Sequence, residues 1–555
     1  MTDTSSRHWI EATTLGDLID RRAAERPDAD AVVFPDARAT YRELAARSAW
    51  LARALVGLGV RPGDRVGILL PASVDLLAFL FAAAKSGAVA VPVNARFKSV
   101  ELGQIVAHSG MRVLVTDGAS AALVDETFPD LAAGTPGDLA LAAAPELRHV
   151  VSLGPSRTDD DVLAAAAAAV PAERVRADQE SVRVRDTAVI VYTSGTTAAP
   201  KGAMLSHEAL GRLATGIGDR LRLTHDDRVW TAIPLFHGGG ITFALSCVAA
   251  GAPFVHPGQF DPSTTLEYLR DERVTVALAA FETIWMPVLN RPDFAAFDLS
   301  GIRVVMAVGV PERLRDMASR LPAAVHVSCV AMTESSAFLT LNRLDDPAEK
   351  RATTGGHPMP GMQCRVIDPE TGTDQPAGTP GELLFRGPNA FDGYFRDPQQ
   401  TAEVFDVDGW FHSGDVVVAD EDGRLTFRSR LKDMLKVGGE NVAAAEVEGH
   451  LLGHPAVEIV AVVAAPDAYY VEVPAAFVQV RAGAAVTEDE LIEHCLGRIA
   501  TYRVPRYVRF VDGPSGWPMS GTKIKKFVLR ERIADELKQR GITRAPKLTP
   551  KLRER

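Results

Sequence analysis

This chain of 555 residues is short of several things, and each shortage removes a class of protein. It has four cysteines, Cys247, Cys329, Cys364 and Cys495, scattered without the spacing of a zinc site or a disulfide framework. That pattern suits a reducing compartment, and the expected location is the cytoplasm. No apolar run is long enough to span a bilayer, so stable membrane insertion is not expected. Residues 1–8 lack the apolar stretch of a secretory leader. Positive charge is not in excess: 60 Lys and Arg stand against 71 Asp and Glu, a net charge of -11, so nucleic acid is not an expected partner. What is present is a globular composition, 46% hydrophobic and 24% charged, at a length beyond what one hydrophobic core supports. Two or more domains are expected.

The chain is best read around residues 191–207, Val-Tyr-Thr-Ser-Gly-Thr-Thr-Ala-Ala-Pro-Lys-Gly-Ala-Met-Leu-Ser-His. An apolar β-type run, 187–192, leads in. Ser206 is the expected N-cap of a helix, with Glu208 in its first turn. Between them lies a loop carrying Thr193, Ser194, Gly195, Thr196, Thr197 and Lys201. Small residues let backbone N–H groups approach an anion, hydroxyls add donors, and the lysine adds a point charge. That is chemistry for holding a triphosphate. It is not the common P-loop: five residues separate Gly195 from Lys201, and Gly202 follows the lysine.

Around this loop, short apolar strands alternate with helices. Helices are expected over 15–26, 40–58, 73–86 and 99–108, the last with Ser99 as N-cap. Strands are expected over 32–34, 65–70, 88–93, 113–116, 228–233, 252–255, 275–278, 304–308 and 325–329. The alternation predicts an α/β fold with doubly wound parallel sheets. In such sheets ligands sit beyond the carboxyl ends of the strands. Three strand ends run into small or polar residues: 234–240, Gly309-Val310-Pro311, and Val330-Ala331-Met332-Thr333-Glu334. The alanine run 164–169 reads as a capped helix or a mobile surface segment. From residue 361 the texture becomes a small β-rich subdomain. After Lys432 a compact α+β unit follows, with helices over 442–452 and 488–499 and strands over 457–463, 475–480 and 507–511. The expected domains are 1–430 and 431–555, and the basic tail after Arg540 is expected to be poorly ordered.

Five stretches in order carry a resemblance: 193–202, 234–240, Met332-Thr333-Glu334, 409–415, and 436–442 (Lys-Val-Gly-Gly-Glu-Asn-Val). Together they resemble the adenylate-forming superfamily of acyl- and aryl-CoA synthetases, luciferases and adenylation domains of peptide synthetases, over nearly the whole chain. The resemblance implies a large N-terminal domain and a small mobile C-terminal one. It implies two half-reactions: a carboxylate attacks ATP to give acyl-AMP and pyrophosphate, and a thiol, usually that of coenzyme A, then displaces AMP. It assigns Thr193, Ser194, Gly195, Thr196, Thr197 and Lys201 to the β- and γ-phosphates. Thr333 falls to the α-phosphate, Glu334 to Mg²⁺, and Asp415 with Arg430 to the ribose hydroxyls. Lys523 would stabilise charge in the first step. Gly438, Gly439 and Glu440 would reach the site in the second, with Lys432 at the hinge. Gly309, Val310, Pro311, Val330, Ala331 and Met332 would border the nucleotide.

His237 would stand at the mouth of an acyl pocket lined by Phe236, Gly238, Gly239, Gly240, Phe243, Val308 and Ser328. No Lys, Arg or carboxylate appears among these, so the expected substrate is a hydrophobic monocarboxylic acid. The expected activity is an AMP-forming acyl-CoA ligase. Its alternatives are acyl transfer to a carrier-protein thiol, an enzyme confined mainly to the second half-reaction, and a non-catalytic binding paralogue. A homodimer is compatible with the sequence. Three departures from the family pattern fall on ATP handling: Ala198 in place of glycine, Val330-Ala331 in place of Tyr-Gly, and a stretch 518–523 one residue shorter than the fatty-acyl pattern.

Overall fold

The computed structural model describes residues 13–133, 139, 141–154, 160–193, 201–431, 434–437, 440–520 and 523–548. By its internal contacts the chain divides into two compact units, Met1–Cys364 with Phe385–Phe411, and Arg365–Leu384 with His412–Arg555.

The larger unit holds two mainly parallel sheets. One runs Val325–Val327, Val304–Val308, Val276–Phe281, Val229–Trp230, Phe254–Val255, Asp30–Val33 and Arg38–Thr40. The other runs His149–Leu153, Val113–Asp117, Arg65–Ile68, Val89–Pro92, Thr187–Thr193 and Lys201–Ser206. Each is parallel except for its last pair, which is antiparallel. Strands such as Val89–Pro92 are buried along their whole length, which is why they read as unbroken apolar runs.

Helix starts follow the expected chemistry. The Thr40 hydroxyl accepts from the Glu43 N–H while the Glu43 carboxylate accepts from the Thr40 N–H, a capping box opening Tyr41–Gly57. Ser73 and Ser206 cap Val74–Lys85 and His207–Arg220. Ser99 is a correction: Lys98 holds the cap position, and the Ser99 hydroxyl donates to Glu126 Oε1 at 2.8 Å. The alanine run forms the helix Asp160–Ala168, which packs on Tyr41–Gly57. A Cβ on Gly57 would meet the Ala166 carbonyl oxygen at 2.2 Å, so glycine permits that close approach.

Two further expectations are corrected. Residues 201–206 are a strand returning along Thr187–Thr193, not a loop feeding directly into a helix. Residues 325–329 are not one strand. Val325–Val327 ends the parallel sheet, and Cys329–Met332 begins a three-stranded sheet with Ala337–Leu341 and His357–Pro358. The Asn342 side-chain oxygen accepts the Ser328 N–H at 2.6 Å at the break.

In the smaller unit, Glu440–Ala443, Met434–Val437, Val471–Val480, Val457–Asp467 and Tyr507–Phe510 form one sheet. Leu529, Ile533 and Leu537, one face of the helix Lys526–Gln539, pack against it. A second, four-stranded sheet runs Gln363–Ile367, Pro380–Arg386, Phe411–Ala419 and Leu425–Arg430. Residues 541–548 of the basic tail are held against this unit. Thr543 O accepts from the Ala468 N–H, Asp467 Oδ2 accepts from the Ala545 N–H, and Leu548 packs on the core. One buried carboxylate and a few apolar side chains are enough to hold a tail whose composition looks disordered.

Candidate active site

Thr193 and Lys201 face each other as the last register pair of their antiparallel strands. Ser194, Gly195, Thr196, Thr197 and Ala198 lie outside the described residues. The ends that carry them are fixed side by side. Gly202 is needed there, since a Cβ would sit 2.8 Å from Ile190 Cγ2. The open edge of Lys201–Ser206 is taken up by residues 392–395. The Asp392 N–H donates to Met204 O at 2.9 Å, the Met204 N–H to Gly393 O at 3.0 Å, and the Phe395 N–H to Gly202 O at 2.7 Å. This lays the Tyr394 ring beside the lysine, with Lys201 Nζ 5.3 Å from the ring centroid.

The same segment reaches Glu334. Phe391 donates its N–H to Glu334 O, and the Tyr394 phenol donates to Glu334 Oε1, both at 2.9 Å. Thr333–Ser335 is a single 3₁₀ turn, followed by Ser336 at φ 60° and Ala337 at φ 119°. Left-handed backbone at two successive non-glycine residues is strained, and strain of this kind gathers at functional sites. It is held by tertiary bonds: the Ser336 hydroxyl donates to Asn389 O, and the Thr242 hydroxyl donates to Ser336 O, both at 2.9 Å.

Sequence reasoning missed Tyr394. The usable signal was Gly393, at φ 122°, where a Cβ would stand 2.7 Å from Thr401 Cγ2. Such a glycine marks a chain turning in tightly to deliver its neighbour.

The expected acyl side is built from strand ends. His237 is the N-cap residue of Gly238–Ala250, its ring 4.6 Å from that of Phe236. Gly240 cannot carry a side chain, because a Cβ would meet Pro234 O at 2.6 Å. A Cβ on Gly238 would lie 3.7 Å from Ala337 Cβ, which puts the start of this helix against the strained turn. Val308, 38% exposed, ends its strand, with Gly309 and the N-cap Val310 before Pro311 at the first helical position of Pro311–Arg320. Phe281, opposite Val308 in register, was also missed; Ala280 before it has φ 57° at a bulge. Ser328 and Val330 are buried, Met332 is half-buried and Ala331 is exposed. Phe243 turns into the core, its ring 4.9 Å from Phe338.

The remaining expected residues lie in the smaller unit. Asp415 is 3% exposed and pairs in register with Arg430, Nε to Oδ1 at 3.1 Å. Glu382 braces the approach, accepting from the Gly414 N–H and bonded to His412 Nδ1, both at 3.1 Å. Lys432, Gly438 and Gly439 lie outside the described residues, as do the side chains of Glu440 and Lys523. The backbone of Glu440 faces Val437 and that of Lys523 faces Ser520. Among the described residues, no group of three or more His, Cys, Asp or Glu could hold a metal ion. No described helix is long and apolar enough to cross a membrane.

Residues 19–395 match the AMP-binding enzyme family, and residues 446–516 match the AMP-binding enzyme C-terminal domain. The chain belongs to this family, the adenylate-forming superfamily. It is 36% identical over 524 residues to a feruloyl-CoA synthase from Amycolatopsis sp, covering 94% of this chain and 99% of that one. It is 32% identical over 545 residues to a mitochondrial medium-chain acyl-CoA ligase from Bos taurus, covering 94% and 88%. The ATP-bound structure of MatB from Rhodopseudomonas palustris superposes with a TM-score of 0.81 at 29% identity, over 94% of this chain and 100% of that one. The protein is thus an AMP-forming acid–thiol ligase using ATP and coenzyme A.

Proposed function

We propose that this ligase activates a hydrophobic monocarboxylic acid and transfers the acyl group to coenzyme A. The observation that carries this reading is the uncharged character of the strand-end walls. Phe236, Gly238, Gly239, Gly240, Phe281, Val308, Val330 and Ala331 bring no Lys, Arg, Asp or Glu to the expected acyl side. An amino or second carboxyl group on the substrate would be desolvated there without a partner. The relatives named for feruloyl and medium-chain acyl substrates support the same class.

In this reading Thr193, Lys201 and the intervening hydroxyls hold the β- and γ-phosphates, Thr333 donates to the α-phosphate, and Asp415 accepts from the ribose. Lys523 offsets charge on the attacking carboxylate. His237 closes the acyl mouth. Glu334 fits Mg²⁺: it offers a hard oxygen ligand oriented by a phenol, and Mg²⁺ is commonly held by one or two carboxylates plus substrate phosphates and water. Glu334 would hold the metal, which would supply positive charge to offset the charge developing on the phosphates. A hinge at Lys432, between domains 1–430 and 431–555, would let Gly438, Gly439 and Glu440 replace Lys523 at the site for thioester formation.

The test is thioester formation over a broad acid library with ATP and coenzyme A, run beside supplied acyl-adenylates with coenzyme A alone. Turnover confined to amino or dicarboxylic acids overturns the substrate class. Turnover only from supplied adenylates assigns the enzyme to the second half-reaction, in keeping with the departures at Ala198, Val330 and residues 518–523.

A further inference from the structure

We infer that Tyr394 is a positioning residue that couples the phosphate-binding hairpin to Glu334 and sets that carboxylate for the nucleotide's divalent cation. The inference rests on the proposed role of Glu334 and adds a residue to it.

The observations converge on one ring. The phenol donates to Glu334 Oε1 at 2.9 Å, and Lys201 Nζ stands 5.3 Å from the ring centroid. One aromatic side chain therefore touches both the lysine ending the hairpin and the acid 60 residues before it in the chain. The ring is fixed from several sides. Phe391 meets it edge-on at 4.9 Å, the Tyr394 N–H donates to Thr401 Oγ1 at 2.9 Å, and the residue is 6% exposed. Phe385, Phe391, Phe405 and Phe411 form an aromatic cluster that anchors the segment. Glu334 is gripped at two points, its carbonyl by the Phe391 N–H and its carboxylate by the phenol.

The chemistry follows from the donor. A phenol O–H bonded to a carboxylate restricts its rotation, and it uses one of about four lone-pair sites. The rest stay available to a cation. The cation over the ring face strengthens the phenol as a donor, so a lysine engaged with phosphate and a carboxylate engaged with metal act on the same group. Partners of this kind behind a metal-binding side chain typically change metal affinity by about 10- to 100-fold when removed.

The test uses the full chain and Tyr394→Phe, which keeps the ring, its contact with Phe391 and the face offered to Lys201. ATP binding is measured by calorimetry with and without Mg²⁺, and ATP–pyrophosphate exchange is titrated with Mg²⁺. The expected result is unchanged ATP affinity without metal, with at least about a ten-fold rise in the Mg²⁺ needed for half-maximal binding and exchange. Thioester formation from a supplied acyl-adenylate, which needs no pyrophosphate-bound metal, should stay at the wild-type rate. An unchanged Mg²⁺ dependence overturns the inference while leaving the ligase reading intact. If wild-type protein shows no Mg²⁺-dependent ATP binding, the role given to Glu334 fails and the inference falls with it. A variant that only loses thermal stability, with its Mg²⁺ midpoint unmoved, also overturns it, because a purely structural tyrosine predicts that outcome.

Discussion

Two acids expected to meet the nucleotide, Glu334 in the larger unit and Asp415 in the smaller, are held in opposite ways. Asp415 faces Arg430 across an antiparallel ladder, a partner placed by the strand pairing itself. Glu334 sits on a strained turn and is gripped by Phe391 and Tyr394, which arrive from a separate segment. The ladder pair costs little to arrange, because the sheet supplies the geometry. The clamp depends on tertiary structure: a hairpin edge, a glycine at φ 122° and an aromatic cluster must all be in place. The acid set by long-range contacts should therefore be the more sensitive to change around it.

The largest expected effect tests that contrast directly. Glu334→Gln keeps a group able to accept from Tyr394 but removes the charge. Pyrophosphate exchange should fall by about 100- to 1000-fold, the usual cost of deleting one preorganised electrostatic group. Thioester formation from a supplied acyl-adenylate should change by less than about three-fold if Glu334 serves only the first half-reaction. Equal losses in both half-reactions would remove the distinction between a metal-setting acid and a general structural one.

Next in size is an acid response that should begin in the larger unit. Burial pushes His207 and His256 down from 6.5 to about 4. Their hydrogen bonds agree: His207 Nδ1 accepts from the Leu15 N–H at 3.2 Å, and His256 Nδ1 accepts from the Gly258 N–H at 3.0 Å. A proton on either nitrogen would point at another N–H. Both histidines are thus neutral when folded, and the unfolded chain binds more protons below its ordinary histidine pKa. Stability is fully present above pH 6.5 and is lost as pH falls toward 4, by about 3 kcal/mol for each histidine. In the smaller unit His494 is only partly buried and is also shifted down, by burial first and then by His450, so its share should be smaller. Urea midpoints followed from pH 7 to 4.5 check this. His256→Gln, which retains a donor and an acceptor, should remove a share of the larger unit's decline equal to that of His207, the rest coming from His108, His149 and His326, which burial also shifts down.

The same contrast governs what could be read from the sequence. The helix starts at residues 40 and 73 and the cap at Ser206 were legible because capping is local chemistry within a few residues, though the cap at Ser99 was placed one residue late. The parallel strands were legible because burial on both faces writes a continuous apolar run. Thr333, Glu334, Asp415 and Arg430 were expected from motifs that are contiguous or adjacent in a ladder. Tyr394 and Phe281 were not, since each is brought in by a partner far along the chain. The strand Lys201–Ser206 was missed for a related reason: its pairing with Thr187–Thr193 and residues 392–395 decides its conformation, against a Gly- and Ser-containing sequence that reads as loop. The tail was misjudged because one acceptor, Asp467, organises it.

A smaller effect tests whether the start of the helix Gly238–Ala250 depends on close packing against the strand end before it. Gly240→Ala drives a methyl to 2.6 Å from Pro234 O and 2.8 Å from Ile233 O, both backbone atoms that cannot swing away. It should cost about 1–3 kcal/mol, the usual range for overpacking. Gly239→Ala meets nothing nearer than Ile233 side-chain carbons at 3.8 Å and should be close to neutral. Denaturant midpoints for the two variants give the comparison. A Gly239→Ala loss as large as that of Gly240→Ala would show that the glycines serve the backbone's conformation and not its clearance.

The smallest effect is expected at the ladder pair. The Arg430 side chain is 44% exposed although Asp415 is nearly buried, so the pair is screened from one side. Exposed or half-exposed ion pairs contribute about 0–1 kcal/mol, since side-chain ordering and solvent screening offset most of the attraction. Arg430→Ala should therefore lower stability by less than about 1 kcal/mol, read from the urea midpoint at constant slope. The strand register, carried by backbone bonds, should survive it, and Asp415 should keep its place. Tyr394→Phe is the matched deletion at the other acid, removing one donor from one carboxylate, and it should be the more damaging to Mg²⁺-dependent ATP binding. If Arg430→Ala raised the Mg²⁺ midpoint as much as Tyr394→Phe does, the two acids would be coupled through the bound nucleotide, and the contrast between ladder and clamp would lose its consequence for catalysis.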